Sequence, residues 1–217
     1  MTFAADILSL LFHPKEFFAD GSRTQSFKLP ALYTAVYGVF AAVAGYQASV
    51  ASAELIGMPD AAGVLGAIGA VTGFIMAFLI WVIVAAFFFV FVKFITHTTA
   101  GFKPFLSVTG YASLPILIGA VLMLLAGMVS PGIFDGWTGY LLNLVVLFWC
   151  MPIWIYGFAA AGNVPVRAVF TALLIPIIIM AAYTAYETYT TIESLKTLAE
   201  TGGMHISMRP HRLHTQG

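Results

Sequence analysis

The sequence predicts an all-α polytopic membrane protein, a bundle of five transmembrane helices with a short N-terminal interfacial helix. Three observations predict it. Of 217 residues, 61% are hydrophobic and 8% charged, with a mean hydropathy of +0.97, whereas an average soluble domain carries about 25% charged residues. A soluble fold of this size cannot hide so much apolar surface, so the solvent is lipid. The apolar residues fall in five runs of spanning length. The basic residues fall in alternate links between those runs.

Residues Phe3 to Phe12 place Phe3, Ile7, Leu8, Leu11 and Phe12 along one side of a helix. That run is too short to span, since about 20 apolar residues are needed, so it is expected to lie in the interface. It lacks the basic start and cleavage pattern of a signal peptide. His13-Pro14 breaks it, and Pro14 opens a second short turn, PKEFFADG. Phe12, Pro14, Phe17 and Phe18 are expected to anchor this region in the headgroup layer.

The first span is expected over 30–52, where Pro30 suits a helix start, and Glu54, Gly57, Pro59 and Asp60 end it. The second runs from about Gly63 to Thr96, longer than a bilayer core requires, so it must tilt or project. Gly66, Gly69, Gly73 and Ala77 lie along its first half as a small-residue stripe for close packing of helices or protomers. Its second half, Trp81 to Phe94, is bulky and aromatic, as expected for a lipid-facing surface. The third, fourth and fifth spans are expected over 104–129, 137–161 and 165–186. A polar extension of the fifth ends at Gly202-Gly203. The domain division is therefore 1–29, a cytoplasmic interfacial region; 30–200, the bundle; and 201–217, a disordered polar tail.

Lys15, Arg23 and Lys28 precede the first span, Lys93 and Lys103 flank the second link, and Arg167 lies in the fourth. The other two short links carry only Glu54, Asp60 and Asp135. The basic side is the cytoplasmic one, which puts the N-terminus inside the cell membrane and the C-terminus outside.

The formal net charge of +0 excludes nucleic acid or an acidic partner held by bulk electrostatics. Cys150 is single, so it makes no intrachain disulfide. Ser107 and Ser113 have no histidine beside them, and no HExxH pair or phosphate-binding loop occurs. His97 is expected to be a solvated loop residue, and the spacing of His205, His211 and His214 matches no fixed ligand set. Neither a metal nor a cofactor is expected. Ionisable groups within the spans mark ion and proton paths; here Glu187, at the end of the fifth, is the nearest to one. Asn143, inside the fourth span, is expected to bond to a neighbouring helix.

The third, fourth and fifth spans each hold an interior proline, Pro115, Pro152 and Pro176. At 1.5 Å per residue these lie roughly 13–17 Å from the cytoplasmic ends, which sets three kinks at one level. Each leaves a carbonyl four residues earlier, on Tyr111, Phe148 and Ala172, without its helical donor. Two arrangements satisfy those carbonyls: a packed, kinked layer, or a cytoplasm-facing cavity lined by Gly110, Tyr111, Ser113, Pro115, Asn143, Pro152, Pro176 and the freed carbonyls.

The segment FHPKEFF before the first span, GYASLP early in the third, and the run WCMPIWIYGFAAAGNVPVRAVFTALLIP together resemble the Yip1 family. The likeness covers nearly the whole chain, and the short form is similar to the compact prokaryotic members. It implies a non-enzymatic multi-pass protein that organises membrane or recruits partners, in a role like membrane trafficking. The partners implied are the lipid bilayer, further copies of the chain, or other membrane proteins. Eukaryotic members also associate with prenylated GTPases and carry a long cytoplasmic region; here only residues 1–29 precede the first span, so GTPase binding is not expected. The alternative reading is a small-solute facilitator or channel using a cavity at the Pro115, Pro152 and Pro176 level.

Overall fold

A computed structural model describes residues 3–19, 21–129 and 137–207. Its elements are α1 (Phe3–Phe12), α2 (Pro14–Phe17), α3 (Ser22–Gln25), α4 (Lys28–Leu55), a 3-10 turn (Pro59–Ala61), α5 (Ala62–Thr96), α6 (Phe102–Tyr111), α7 (Ser113–Val129), α8 (Trp137–Gly162) and α9 (Val166–Ser207). No strand occurs among the described residues. The five predicted spans are all present by length and composition: Lys28–Leu55, Pro59–Thr96, Phe102–Leu125, Thr138–Gly162 and Val166–Ser194. The fifth helix runs through Gly202-Gly203 to Ser207, further than expected, and His211 and His214 lie outside the described residues.

Lys28, Lys93, Lys103 and Arg167 all fall at one end of the bundle, here termed the basic end. Its links are locally fixed. His97 ends α5 at φ 51°, with its N–H on the Lys93 carbonyl. Thr98 donates from Oγ1 to the Gly162 carbonyl at 2.8 Å and accepts from the Ala100 N–H at 3.2 Å, which ties two links together. Asn163 turns the chain from α8 to α9 at φ 49°, a left-handed conformation that asparagine tolerates better than most residues.

Helices α4 and α5 form a long antiparallel pair, and their contact rests on small residues. A Cβ on Gly69 would run into the Gly45 carbonyl and Ser49 Oγ; one on Gly73 would run into the Ala41 carbonyl. A Cβ on Gly66 would sit 2.7 Å from the Tyr46 ring. The glycine stripe therefore meets the first span of the same chain. The second half of α5 is not wholly lipid-facing, as its aromatic content suggested: Ala77, Trp81, Ala85, Phe88 and Val92 make a buried line at helical spacing, while Val82, Ile83, Val90 and Phe94 are exposed.

The core sits in the basic-end half. Phe88 packs 4.7 Å from Trp154 and 5.7 Å from Phe158, and Phe105 stacks on Phe158 at 5.1 Å. Toward the other end, Val43, Tyr46, Val64, Ile68 and Val71 of the α4–α5 pair are exposed. In lipid such a surface is solvated rather than wasted.

Candidate functional site

The third span breaks where GYASLP was singled out. Helix α6 ends at Tyr111, Ala112 is a turn, and α7 starts at Ser113 with Pro115 in its first turn. Proline has no N–H to give the Tyr111 carbonyl, so the ladder opens here. Neighbouring helices brace the gap. The Cys150 thiol of α8 donates weakly to the Ala112 carbonyl at 3.6 Å. Thr34 of α4 donates to the Pro30 carbonyl at 3.0 Å, which leaves Ser113 to donate to Thr34 Oγ1 across 3.2 Å. Trp81 of α5 donates from Nε1 to the Leu106 carbonyl at 2.9 Å and lies 3.1 Å from Thr109 Oγ1. Gly110 is the point of closest approach: a Cβ there would lie 2.6 Å from Pro30 Cβ and 2.9 Å from the Trp81 ring.

Tyr111 is fully buried, and what buries it is the N-terminal segment. Phe17, Phe18 and Tyr33 set their rings edge-on to it at 5.2, 5.7 and 6.2 Å, the arrangement that aromatic quadrupoles favour. The Tyr111 hydroxyl donates to the Arg23 carbonyl at 3.4 Å. The Arg23 guanidinium lies 4.9 Å over the Phe17 ring and holds Asp6 of α1 through two bonds, at 2.9 and 3.3 Å. Phe18 also fits against Gly157 of α8, where an added Cβ would lie 3.2 Å from its ring. Further along, Trp149 of α8 donates from Nε1 to the Leu11 carbonyl at 3.2 Å. Trp149 is roughly 20 Å from the Gly162 end of α8 at 1.5 Å per residue, so the α1–α2 hairpin dips into the bundle instead of lying flat at its end.

The expected headgroup anchor therefore divides. Pro14, Phe17 and Phe18 are buried, out of reach of lipid headgroups; the rings of Phe17 and Phe18 pack on Tyr111 instead. Phe12 is 62% exposed and tilts against Trp149 at 6.3 Å. The space expected beside Tyr111 at the proline level is filled with side chains. Pro115 and Pro176 are buried and Pro152 is half-buried, while Tyr111, Ala112, Ile153, Ala172 and Leu173 have no exposure. Phe148, one turn before Pro152, is exposed. Asn143 is exposed and, among the described residues, does not make the expected bond to a neighbouring helix; it lines a cavity instead, the other expectation for it.

The Arg23–Asp6 pair and the two tryptophan braces carry no motif in the sequence. The nearest signal was the Phe17-Phe18 pair after Pro14, too many aromatic rings for one short turn. Chemically the site is a packed aromatic joint. Among the described residues, no three His, Cys, Asp or Glu side chains gather, and the buried Ser107 hydroxyl has no partner.

Five apolar helices of spanning length, with no strand among the described residues, define a multi-pass membrane protein in contact with the bilayer. The model of the Yip1 domain matches residues 8–186, so the chain belongs to the Yip1 family. No curated protein and no solved structure matches it.

Proposed function

We propose that this protein organises membrane without catalysis, acting as a one-sided wedge. The observation that carries this reading is the place of α1–α3. They add bulk beside α6 and α8 in the basic-end half of the bundle, with Phe3, Leu8 and Phe12 left exposed as a lipid-facing surface. Bulk inserted into one leaflet favours curvature toward that side. The filled Tyr111 niche weighs against a solute path through the same place.

Reconstitution in liposomes tests it. The whole protein is expected to shift the vesicle population to smaller diameters as protein density rises. The double variant Phe3→Ser/Leu8→Ser should lose that effect while keeping its fold, since neither side chain is buried. Unchanged vesicle size with the whole protein, or passage of a small solute, would overturn the reading.

The orientation proposed with it places the basic end in the cytoplasm, with the C-terminus outside. Cys150 is buried and is therefore silent to an impermeant thiol reagent. A Gln216→Cys variant should react with that reagent added to intact cells; protection until the cells are broken would reverse the assignment. The partners this reading names are other membrane proteins or further copies of the chain.

A further inference from the structure

Between α5, α7, α8 and α9 lies a cavity of about 390 Å³, within the roughly 300–1,000 Å³ of small-molecule sites. Val84, Ile116, Cys150 and Met180 are among its walls, and Asn143 and Trp154 mark its two ends along α8. Both carry unmet polar groups. Asn143 is exposed and without a hydrogen bond among the described residues, and Trp154, 3% exposed, has an indole N–H with no acceptor. The other polar groups are spoken for: the Cys150 thiol by the Ala112 carbonyl, and Thr184 by the Met180 carbonyl at 2.9 Å.

Dimensions identify the occupant. Helix α8 has 26 residues, about 39 Å, against a hydrocarbon core of about 30 Å. Centred in that core, it leaves Asn143 roughly 4–5 Å below the boundary on the Trp137 side, so its side chain reaches up toward the lipid esters at that boundary. From Asn143 to Trp154 is about 16 Å along the helix, which carries the inner end about 6 Å past the midplane, within reach of a long extended acyl chain. The cavity thus has the length, direction and depth of one acyl chain.

We propose that it binds an acyl chain of a diacyl lipid from the leaflet on the Trp137 side. The ester carbonyl accepts from the Asn143 carboxamide, and the chain runs inward to Trp154. An aqueous ligand would have to cross hydrocarbon to arrive, whereas a lipid is already present. The site is separate from the N-terminal wedge, so either can fail without the other.

The test uses the full chain in phosphatidylcholine vesicles doped with a lipid that carries a diazirine halfway along one chain. After illumination, label is expected on peptides holding Val84, Leu147 and Met180. Leu144→Trp, which fills the cavity, should abolish that label while leaving label on the exposed face of α9 unchanged. Met180→Trp fills it from the facing helix and serves if the first variant does not fold. Asn143→Leu, or a diether lipid without the ester carbonyl, should lower labelling about fivefold, the worth of one hydrogen bond of about 1 kcal/mol. Label that is indifferent to the filling variants, or that comes from a free fatty acid and not from the diacyl lipid, would overturn the proposal. Equal labelling by ester and ether lipids would overturn the role of Asn143.

Discussion

Phe18→Ala should destabilise the protein by about 3–5 kcal/mol, the usual cost of removing a buried phenylalanine. The ring is 2% exposed and touches both Tyr111 and the Gly157 notch, so its loss hollows the joint between the N-terminal segment and two spans. The apparent Tm in detergent should fall by many degrees. Limited trypsin digestion should cut faster after Lys15 and Arg23, because the hairpin is released. Phe12→Ala is the control: that ring is 62% exposed, and its loss should change stability by no more than about 0.5 kcal/mol. Equal effects of the two substitutions would show that the segment is not docked through Phe18.

Gly73→Leu carries the second large effect. Overpacking a tight contact costs about 1–3 kcal/mol when side chains yield, but here the obstacle is the Ala41 carbonyl and the α4 backbone behind it. The helices themselves must separate, so the loss should reach or exceed the top of that range. Gly63→Leu is the matched control, since nothing lies within 4 Å of a Cβ there. Thermal unfolding of the two variants side by side should show a large drop for the first and almost none for the second. A drop shared by both, against the gain in helix propensity that leucine brings, would reduce the effect to one independent of position and remove the case for close packing at Gly73.

The spans were legible because hydropathy reports the solvent directly. A run such as Gly63 to Thr96 has no other reading, and Lys93, Lys103 and Arg167 mark where each run leaves the lipid. The break in the third span was also legible, since Pro115 removes a donor wherever it sits. The destination of Phe17 and Phe18 was not. A phenylalanine suits a lipid interface and a protein niche equally well, and only the Tyr111 and Gly157 surfaces, far off in sequence, decide between them. Which of its two expected roles Asn143 fills was not legible for a related reason. An amide in a span seeks a partner, but the sequence does not show whether a helix or a void stands opposite.

The contacts that seat the hairpin also impose an order on assembly. The segment Phe3 to Gln25, made before the spans that seat it, is held by Tyr111, which lies 88 residues beyond Arg23, and by Trp149, which lies 138 residues beyond Leu11. During synthesis its apolar face has no site to occupy until the third and fourth spans have entered the membrane. Until then it must be sheltered by lipid or by the insertion machinery. These residues are made before the spans of the bundle and put in place after most of them.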